Sequence, residues 1–141
     1  MDKFIQPSEV AVKGLLRLSN LDSSDLTPAH LKHFFGLGSE GEPEGIFGLE
    51  LFTSVGLLRS LDVVPSRRKA GLSSRLVAYA EGYARSHGIK ALYVLTNTAE
   101  AFFMHRSYQG CSRNAAPRAI RETKEFSEIC PASSVFMVKN L

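Results

Sequence analysis

The sequence predicts a mixed α/β domain built on one sheet, antiparallel at its start and parallel at one central pair. Two apolar runs, Ile46 to Phe52 and Val55 to Val64, are separated by a short turn and predict an antiparallel hairpin. Leu72, Leu76, Tyr79, Ala80 and Tyr83 then recur at helical spacing, which predicts a helix from Leu72 to Ser86. Ala91 to Thr96 (A-L-Y-V-L-T) follows as a buried strand. It must run parallel to Val55–Val64, because a helix of that length is a crossover and not a hairpin connection.

The remaining elements follow in order. Asp2 to Gln6 reads as a short first strand stopped by Pro7. Ser8 is an N-cap for a helix from Glu9 to Leu18, with Val10, Leu15, Leu16 and Leu18 on its apolar face. Thr27-Pro28 starts a short helix, a capping residue followed by proline at the first position. Phe34 to Gly38 is expected as an edge strand, and Ser39 to Gly45 (S-E-G-E-P-E-G) as the clearest turn. Gly88 closes the Leu72–Ser86 helix. After Thr96 the pattern predicts a helix over Thr98–Arg106, a strand over Tyr108–Ser112, a helix over Pro117–Ile129 and a last strand over Ser134–Val138.

Composition narrows the function. At 141 residues the chain is read as a single domain over 1–141, large enough for a real core. Lysine plus arginine number 17 against 14 acidic residues, an excess too small to point to nucleic acid. No stretch approaches the ~20 apolar residues that cross a bilayer. Cys111 and Cys130 lie far apart without metal-ligand spacing, which reads as free thiols in a reducing cytoplasm with no metal site.

The densest chemical signal is Ser60 to Ser74, S-L-D-V-V-P-S-R-R-K-A-G-L-S-S. An apolar strand runs through Pro65 into Arg67, Arg68 and Lys69, then Gly71, and opens a helix. A helix start leaves backbone N–H groups without intrahelical partners, and its dipole favours negative charge there. Gly71, lacking a Cβ, lets the backbone approach an anion and accepts a positive φ. The physics points to a ligand carrying a diphosphate.

The run Arg68-Lys69-Ala70-Gly71-Leu72-Ser73 resembles the Q/R-x-x-G-x-G/A signature of the GNAT superfamily of acyl-CoA-dependent N-acetyltransferases, and Ala101 to Tyr108 resembles that family's second cofactor element. Within the superfamily the chain is most similar to small N-acetyltransferases encoded with arsenic-resistance genes. The residues that carry this likeness are Gly56–Leu61, Leu95–Phe103, Ala119–Thr123 and Cys130-Pro131-Ala132-Ser133. The resemblance implies a sheet splayed between strands 4 and 5 with helices on both faces, and acetyl-CoA as co-substrate. It implies that the backbone of Leu61, Asp62 and Val63 faces pantetheine. The turn of Arg68, Lys69, Ala70, Gly71, Leu72 and Ser73 would hold the pyrophosphate, and Asn97 and Phe102 would touch the cofactor's other side. It further implies a small-molecule amine acceptor, no nucleic-acid or membrane partner, and a homodimer through late strands.

The chain departs from the family pattern in ways that matter. Ser73 replaces the usual final glycine or alanine, and Lys69 stands where many members have glycine. The second element often reads F-Y-x-K-x-G-F, with the tyrosine proposed to protonate the departing thiolate; that position is Phe103, which has no proton to give. Leu57 to Leu61 lacks the glutamate that often serves as base, leaving Glu50 on the adjacent strand as the nearest candidate, against its reading as a solvent-facing strand residue. Arg59, in the apolar run L-L-R-S-L, is either an acceptor contact or the partner of an internal ion pair, for example with Glu50. Arg118 and Arg121 lie on the late helix that often borders the acceptor pocket, and a guanidinium fork suits a carboxylate or arsinate-like oxyanion. Together with a tail similar to that of N-acetylglutamate synthase acetyltransferase domains, these suggest an amino acid or acidic analogue as acceptor, and an arsenic-detoxification setting. The competing readings are a non-catalytic acyl-CoA-binding or sensing module and a protein or peptide N-acetyltransferase.

Overall fold

A computed structural model describes residues 4–19, 21, 23–39, 42–67, 71–129 and 134–141. Its strands are β1 (Phe4–Ile5), β2 (Phe34–Gly38), β3 (Pro43–Leu51), β4 (Val55–Val63), β5 (Ala91–Thr96), β6 (Gln109–Gly110) and β7 (Val135–Asn140). Its helices are α1 (Glu9–Leu18), α2 (Pro28–Leu31), α3 (Leu72–Ser86), α4 (Glu100–Met104) and α5 (Arg118–Arg121), with a π-helical turn over Glu125–Ile129. The strands form one sheet in the order β1-β2-β3-β4-β5-β7-β6. Every pair in it is antiparallel except β4–β5. No helix among the described residues is long and apolar enough to cross a membrane.

The crossover helix divides the two faces of the sheet. On one side α3 sends Leu72, Leu76, Val77 and Ala80 against Phe47, Leu49, Leu58 and Leu92. On the other side there are two separate clusters. One joins Val12, Leu15 and Leu16 of α1 with Leu26, Phe34 and Ile46; the other joins Leu57, Ala116, Ile120 and Phe136. Gly48 makes the first possible, because a Cβ there would stand 2.4 Å from the Phe34 ring. Asp25, next to Leu26, and Glu125, next to Phe126, edge these two clusters, and both reach Arg59 of β4.

Helices α1 and α3 and strand β5 match their expected bounds, and Ser8 caps α1 by accepting from the Ala11 N–H at 3.1 Å. On α1, however, Val10 and Leu18, expected on the apolar face, are exposed, and Val12 joins Leu15 and Leu16 in the core because it lies on their side of the helix. Four further expectations need correction. β2 is not an edge strand, because β1 pairs along its outer side; Phe34, Phe35 and Leu37 are buried. The Ser39–Gly45 turn is shorter than expected, since β3 already begins at Pro43. The expected helix Pro117–Ile129 breaks after Arg121. Thr123 donates its hydroxyl to the Ile120 carbonyl (2.7 Å) and accepts from the Phe126 N–H (3.2 Å), which diverts backbone groups from the helical ladder. The strand expected over Tyr108–Ser112 shrinks to Gln109–Gly110 because Tyr108 turns into the core.

Helices α3 and α4 end the same way with different residues. Ile89 N–H bonds back to Ala84 O and Gly88 N–H to Arg85 O; at α4, Tyr108 N–H bonds to Phe103 O and Ser107 N–H to Met104 O. Both are Schellman closures, which place one residue in the left-handed region. At α3 that residue is Gly88 (φ 80°), but at α4 it is Ser107 (φ 74°). Ser107→Gly is therefore expected to raise stability by ~0.5–1 kcal/mol, relief of the Cβ strain being partly offset by the entropy of glycine. Thermal unfolding of the two proteins checks this, and a lowered midpoint would refute it.

Candidate active site

Strand β4 starts beside β5 and then leaves it. Pairing runs from Val55–Ala91 to Leu58–Val94 and stops, although β4 continues to Val63 and β5 continues to Thr96 beside β7. The cause is local. Between the pairs Gly48–Arg59 and Ile46–Asp62, Phe47 faces two residues, Ser60 and Leu61, and Ser60 takes φ 56°. This is a β-bulge, which bends a strand and increases its twist. Beyond it Asp62 and Val63 pair with β3 on one side, while the opposite edge of β4 has swung away from β5. The result is a slot at the carboxyl ends of two parallel strands, where ligands of α/β sheets tend to bind.

Directly after β4, a turn of 3-10 helix over Pro65–Arg67 leads toward α3. Arg67 is half-exposed and sits 3.5 Å from Glu44. Arg68, Lys69 and Ala70 lie outside the described residues. Gly71 is the N-cap of α3 at φ 80°, ψ 8°, with no side-chain cap on the first turn. A Cβ there would meet nothing within 4 Å, so the demand for glycine is conformational, not one of space. Leu72 sends its side chain into the core, leaving its backbone at the helix start, and Ser73 is half-buried. The start of a fifteen-residue helix with no side-chain cap, following shortly after β4, has the donors and dipole a diphosphate needs.

Across the slot, Asn97 is exposed and accepts from the Ser134 hydroxyl at 2.7 Å. Phe102 is half-buried beneath the Arg106 guanidinium, 3.7 Å from the ring centre, and Arg106 also reaches the Ser74 hydroxyl on α3. Phe103 is 2% exposed and packs edge-on against Tyr108. Tyr108 donates to Glu81 at 2.9 Å, and Lys139 holds the other Glu81 oxygen at 2.9 Å. Burial first, then the charge of Glu81, raises the Tyr108 pKa above its ordinary value. The folded state therefore favours the neutral phenol. That contribution is complete below pH ~10, where the unfolded phenol titrates, and is lost as the pH climbs above it. Unfolding measured from pH 8 to 11.5 is expected to show a steeper alkaline loss for the wild type than for Tyr108→Phe; parallel curves would refute this.

On the face opposite α3, Glu50 and Leu57 are register partners, as are Gly48 and Arg59, so Glu50 and Arg59 point the same way. Arg59 is 3% exposed. Its Nη1 and Nη2 clasp both oxygens of Asp25 (2.5 and 2.8 Å), Nη1 also reaches Glu50 Oε2 (3.0 Å), and Nε stands 2.8 Å from Glu125 Oε2. Burial by itself would lower the Arg59 pKa. Hydrogen bonding to Asp25, the charges of Glu125 and Asp25, and the hydrogen bond to Glu50 reverse that and hold it above its ordinary value. Arg59 thus ties the α1–α2 connection, the β3–β4 hairpin and the π-helical turn together beside the slot, with its charge met three times over inside the chain.

Of the sequence candidates, Leu61, Asp62 and Val63 lie on the part of β4 beyond its pairing with β5, and Gly71–Ser73 follow it; Arg59 is the first residue past that pairing, and Glu50 stands opposite Leu57, within the paired stretch. Arg118 and Arg121 are exposed on α5, where Arg118 pairs with Glu122 at 3.2 Å, apart from the Arg59 cluster. Sequence reasoning missed Asp25, Glu125 and His30, since nothing local to those residues marks them. Asp25, His30 and Glu50 each offer a ligand atom within 4.8 Å of the others, but both Asp25 oxygens already serve Arg59.

The profile of the family described as "Acetyltransferase (GNAT) family" matches residues 8–111. No curated protein matches the chain. Among solved structures it is similar to N-acetylglutamate synthase from Neisseria gonorrhoeae complexed with coenzyme A and N-acetyl-glutamate (TM-score 0.84, 24% identity, all of this chain and 35% of that one). It is similar to Rv2747 from Mycobacterium tuberculosis, solved with CoA (TM-score 0.76, 15% identity, 99% of each chain). A GNAT-family acetyltransferase from Staphylococcus aureus is comparably similar (TM-score 0.75, 17% identity, 100% and 99%). The chain thus spans about a third of the synthase's length, and at these identities the likenesses establish the fold.

Proposed function

The chain belongs to the acetyltransferase (GNAT) family, and from that premise and the slot beside β4 we infer that it moves an acetyl group from acetyl-CoA to the amino group of a small molecule. The observation that carries this reading is the early end of β4–β5 pairing, directly upstream of the uncapped, left-handed Gly71 start of α3. Bound there, acetyl-CoA would supply a thioester carbon open to attack. The edge of Leu61–Val63 that has left β5 would hold the pantetheine amides. The backbone from Gly71 to Ser73, with the cations of Arg68 and Lys69, would hold the pyrophosphate, and Asn97 and Phe102 would close the far side.

Glu50 is the residue we assign to the proton. It lies on the face opposite α3, in the cluster around Arg59, and its side chain is 12% exposed. It would take a proton from the acceptor's ammonium, freeing the lone pair that bonds to the acetyl carbon; as the carbon–sulfur bond breaks, the nitrogen gives its second proton to water. Phe103 offers no acid, so the thiolate would take its proton from water. We propose an amino acid or an amino-acid analogue as the acceptor. The bound N-acetyl-glutamate of the Neisseria synthase and the resemblance to arsenic-resistance N-acetyltransferases support that class, with Arg118 and Arg121 as contacts for an acidic group at the pocket rim. Arg59 would act on the acceptor only by exchanging one of its three carboxylates.

Calorimetric titration with acetyl-CoA, followed by a thiol-release assay over amino acids, arsenic-containing amino acids and peptides, tests the proposal. Binding with release on small amines supports it, and no binding at millimolar acetyl-CoA refutes it. A second reading, an acyl-CoA-binding module without turnover, is favoured by the buried Phe103 and by Tyr108 being engaged with Glu81. Binding without release on any amine would decide for it.

A further inference from the structure

We infer that His30 is a positioning residue that fixes the carboxylate of Glu50; the assignment rests on the acetyl-transfer reading and on Glu50 as its base. His30 is the third residue of α2, and Thr27 is the N-cap. The Thr27 N–H donates to His30 Nδ1 at 3.1 Å, and the His30 N–H returns to Thr27 Oγ1 at 3.4 Å, a closed capping box. Because Nδ1 accepts a backbone N–H, the proton of the neutral ring sits on Nε2. Nε2 stands 3.4 Å from Glu50 Oε1, within ion-pair distance but without the alignment of a hydrogen bond, while Arg59 Nη1 donates to Glu50 Oε2 at 3.0 Å.

Each oxygen of Glu50 therefore has beside it a nitrogen that is held from elsewhere. Arg59 is held by the fork of Asp25 and by Glu125, and the imidazole is held by the helix cap. The choice of residue is informative. A capping box ordinarily closes with glutamate or glutamine, and either would satisfy the Thr27 N–H. Only an imidazole does so and also presents a rigid donor on its far side. With Oε2 held by Arg59 and the imidazole standing against Oε1, rotation of the carboxylate is restricted, and its remaining lone pairs are available to an incoming ammonium. His30, at 25% side-chain exposure, stands on the solvent side of Glu50 at 12% and needs no contact with the acceptor.

The test is a double-mutant cycle in the full chain with His30→Gln and Glu50→Gln, assayed with acetyl-CoA and the best amine found. Glutamine preserves the capping box and removes the ring donor. The expected result for H30Q is an unchanged unfolding midpoint, an unchanged KM for acetyl-CoA and a kcat reduced about tenfold, the scale of a displaced catalytic group. In the Glu50→Gln background the same change is expected to cost nothing further, since the two residues act as one unit. Wild-type kcat in H30Q overturns the assignment, as does an equal loss in both backgrounds. Nitrogen NMR of the wild-type ring gives an arm independent of the variants: a bare Nδ1 and protonated Nε2 are expected, and the opposite tautomer overturns it. If the wild type binds acetyl-CoA but turns over no amine, the acetyl-transfer reading fails and takes this assignment with it. Turnover that is indifferent to H30Q removes this assignment alone.

Discussion

Arg59→Ala is expected to destabilise the protein by ~3–5 kcal/mol, the cost of breaking a buried ion pair by removing one partner. Three carboxylates share this one guanidinium, and the Asp25 and Glu50 side chains are 2% and 12% exposed. Without Arg59 they would face one another across a dry space with no cation between them. Domain stabilities are commonly ~5–15 kcal/mol, so the loss would consume a large share of the total. Arg59→Lys is expected to recover only part of it, because a point ammonium cannot clasp both Asp25 oxygens while also serving Glu50 and Glu125. Urea unfolding of the three proteins decides the matter. An alanine variant with the wild-type midpoint would mean that the carboxylates rearrange or protonate at little cost.

The largest expected effect on activity is that of Glu50→Gln: a fall in kcat of ~10²–10³ with acetyl-CoA affinity unchanged, as for loss of a positioned base. Glutamine keeps the size of the side chain and can still accept from Arg59, so the fold should survive. The separation of kcat from cofactor binding is the informative part, because Glu50 lies on β3, away from the Gly71 turn. A loss of less than threefold would assign proton removal to water and leave Glu50 with only its ionic role beside Arg59.

Some of this was legible in the chain and some was not, for reasons that differ by residue. The bounds of α1, α3 and β5 could be read directly, because each alternates between a buried and an exposed side with an undisturbed period. The parallel pairing of β4 and β5 followed from the length of α3 alone. Gly71 was readable because few residues but glycine accept φ 80° at a helix start. The late helix was misread because Thr123 competes for backbone groups, a contest periodicity does not register. Ser60 and Ser107 gave no warning either: both occupy positive φ without being glycine.

Arg59 marks the boundary between the two kinds of knowledge. Its place in an apolar strand announced that its charge must be met by something, since an uncompensated buried cation is too costly to persist. Local pattern could name Glu50, a neighbour across the hairpin. It could not name Asp25, thirty-four positions earlier in the chain, or Glu125 in a segment whose helix breaks. Those partners are chosen by which connections fold over the open face of the sheet, and His30 reaches Glu50 for the same reason. Periodicity, turn chemistry and chain connectivity, all encoded locally, therefore determined the architecture and the glycine start of α3. The charged group beside the slot was decided by tertiary packing, because ion pairs and hydrogen bonds act over a few ångströms in space whatever the separation along the chain.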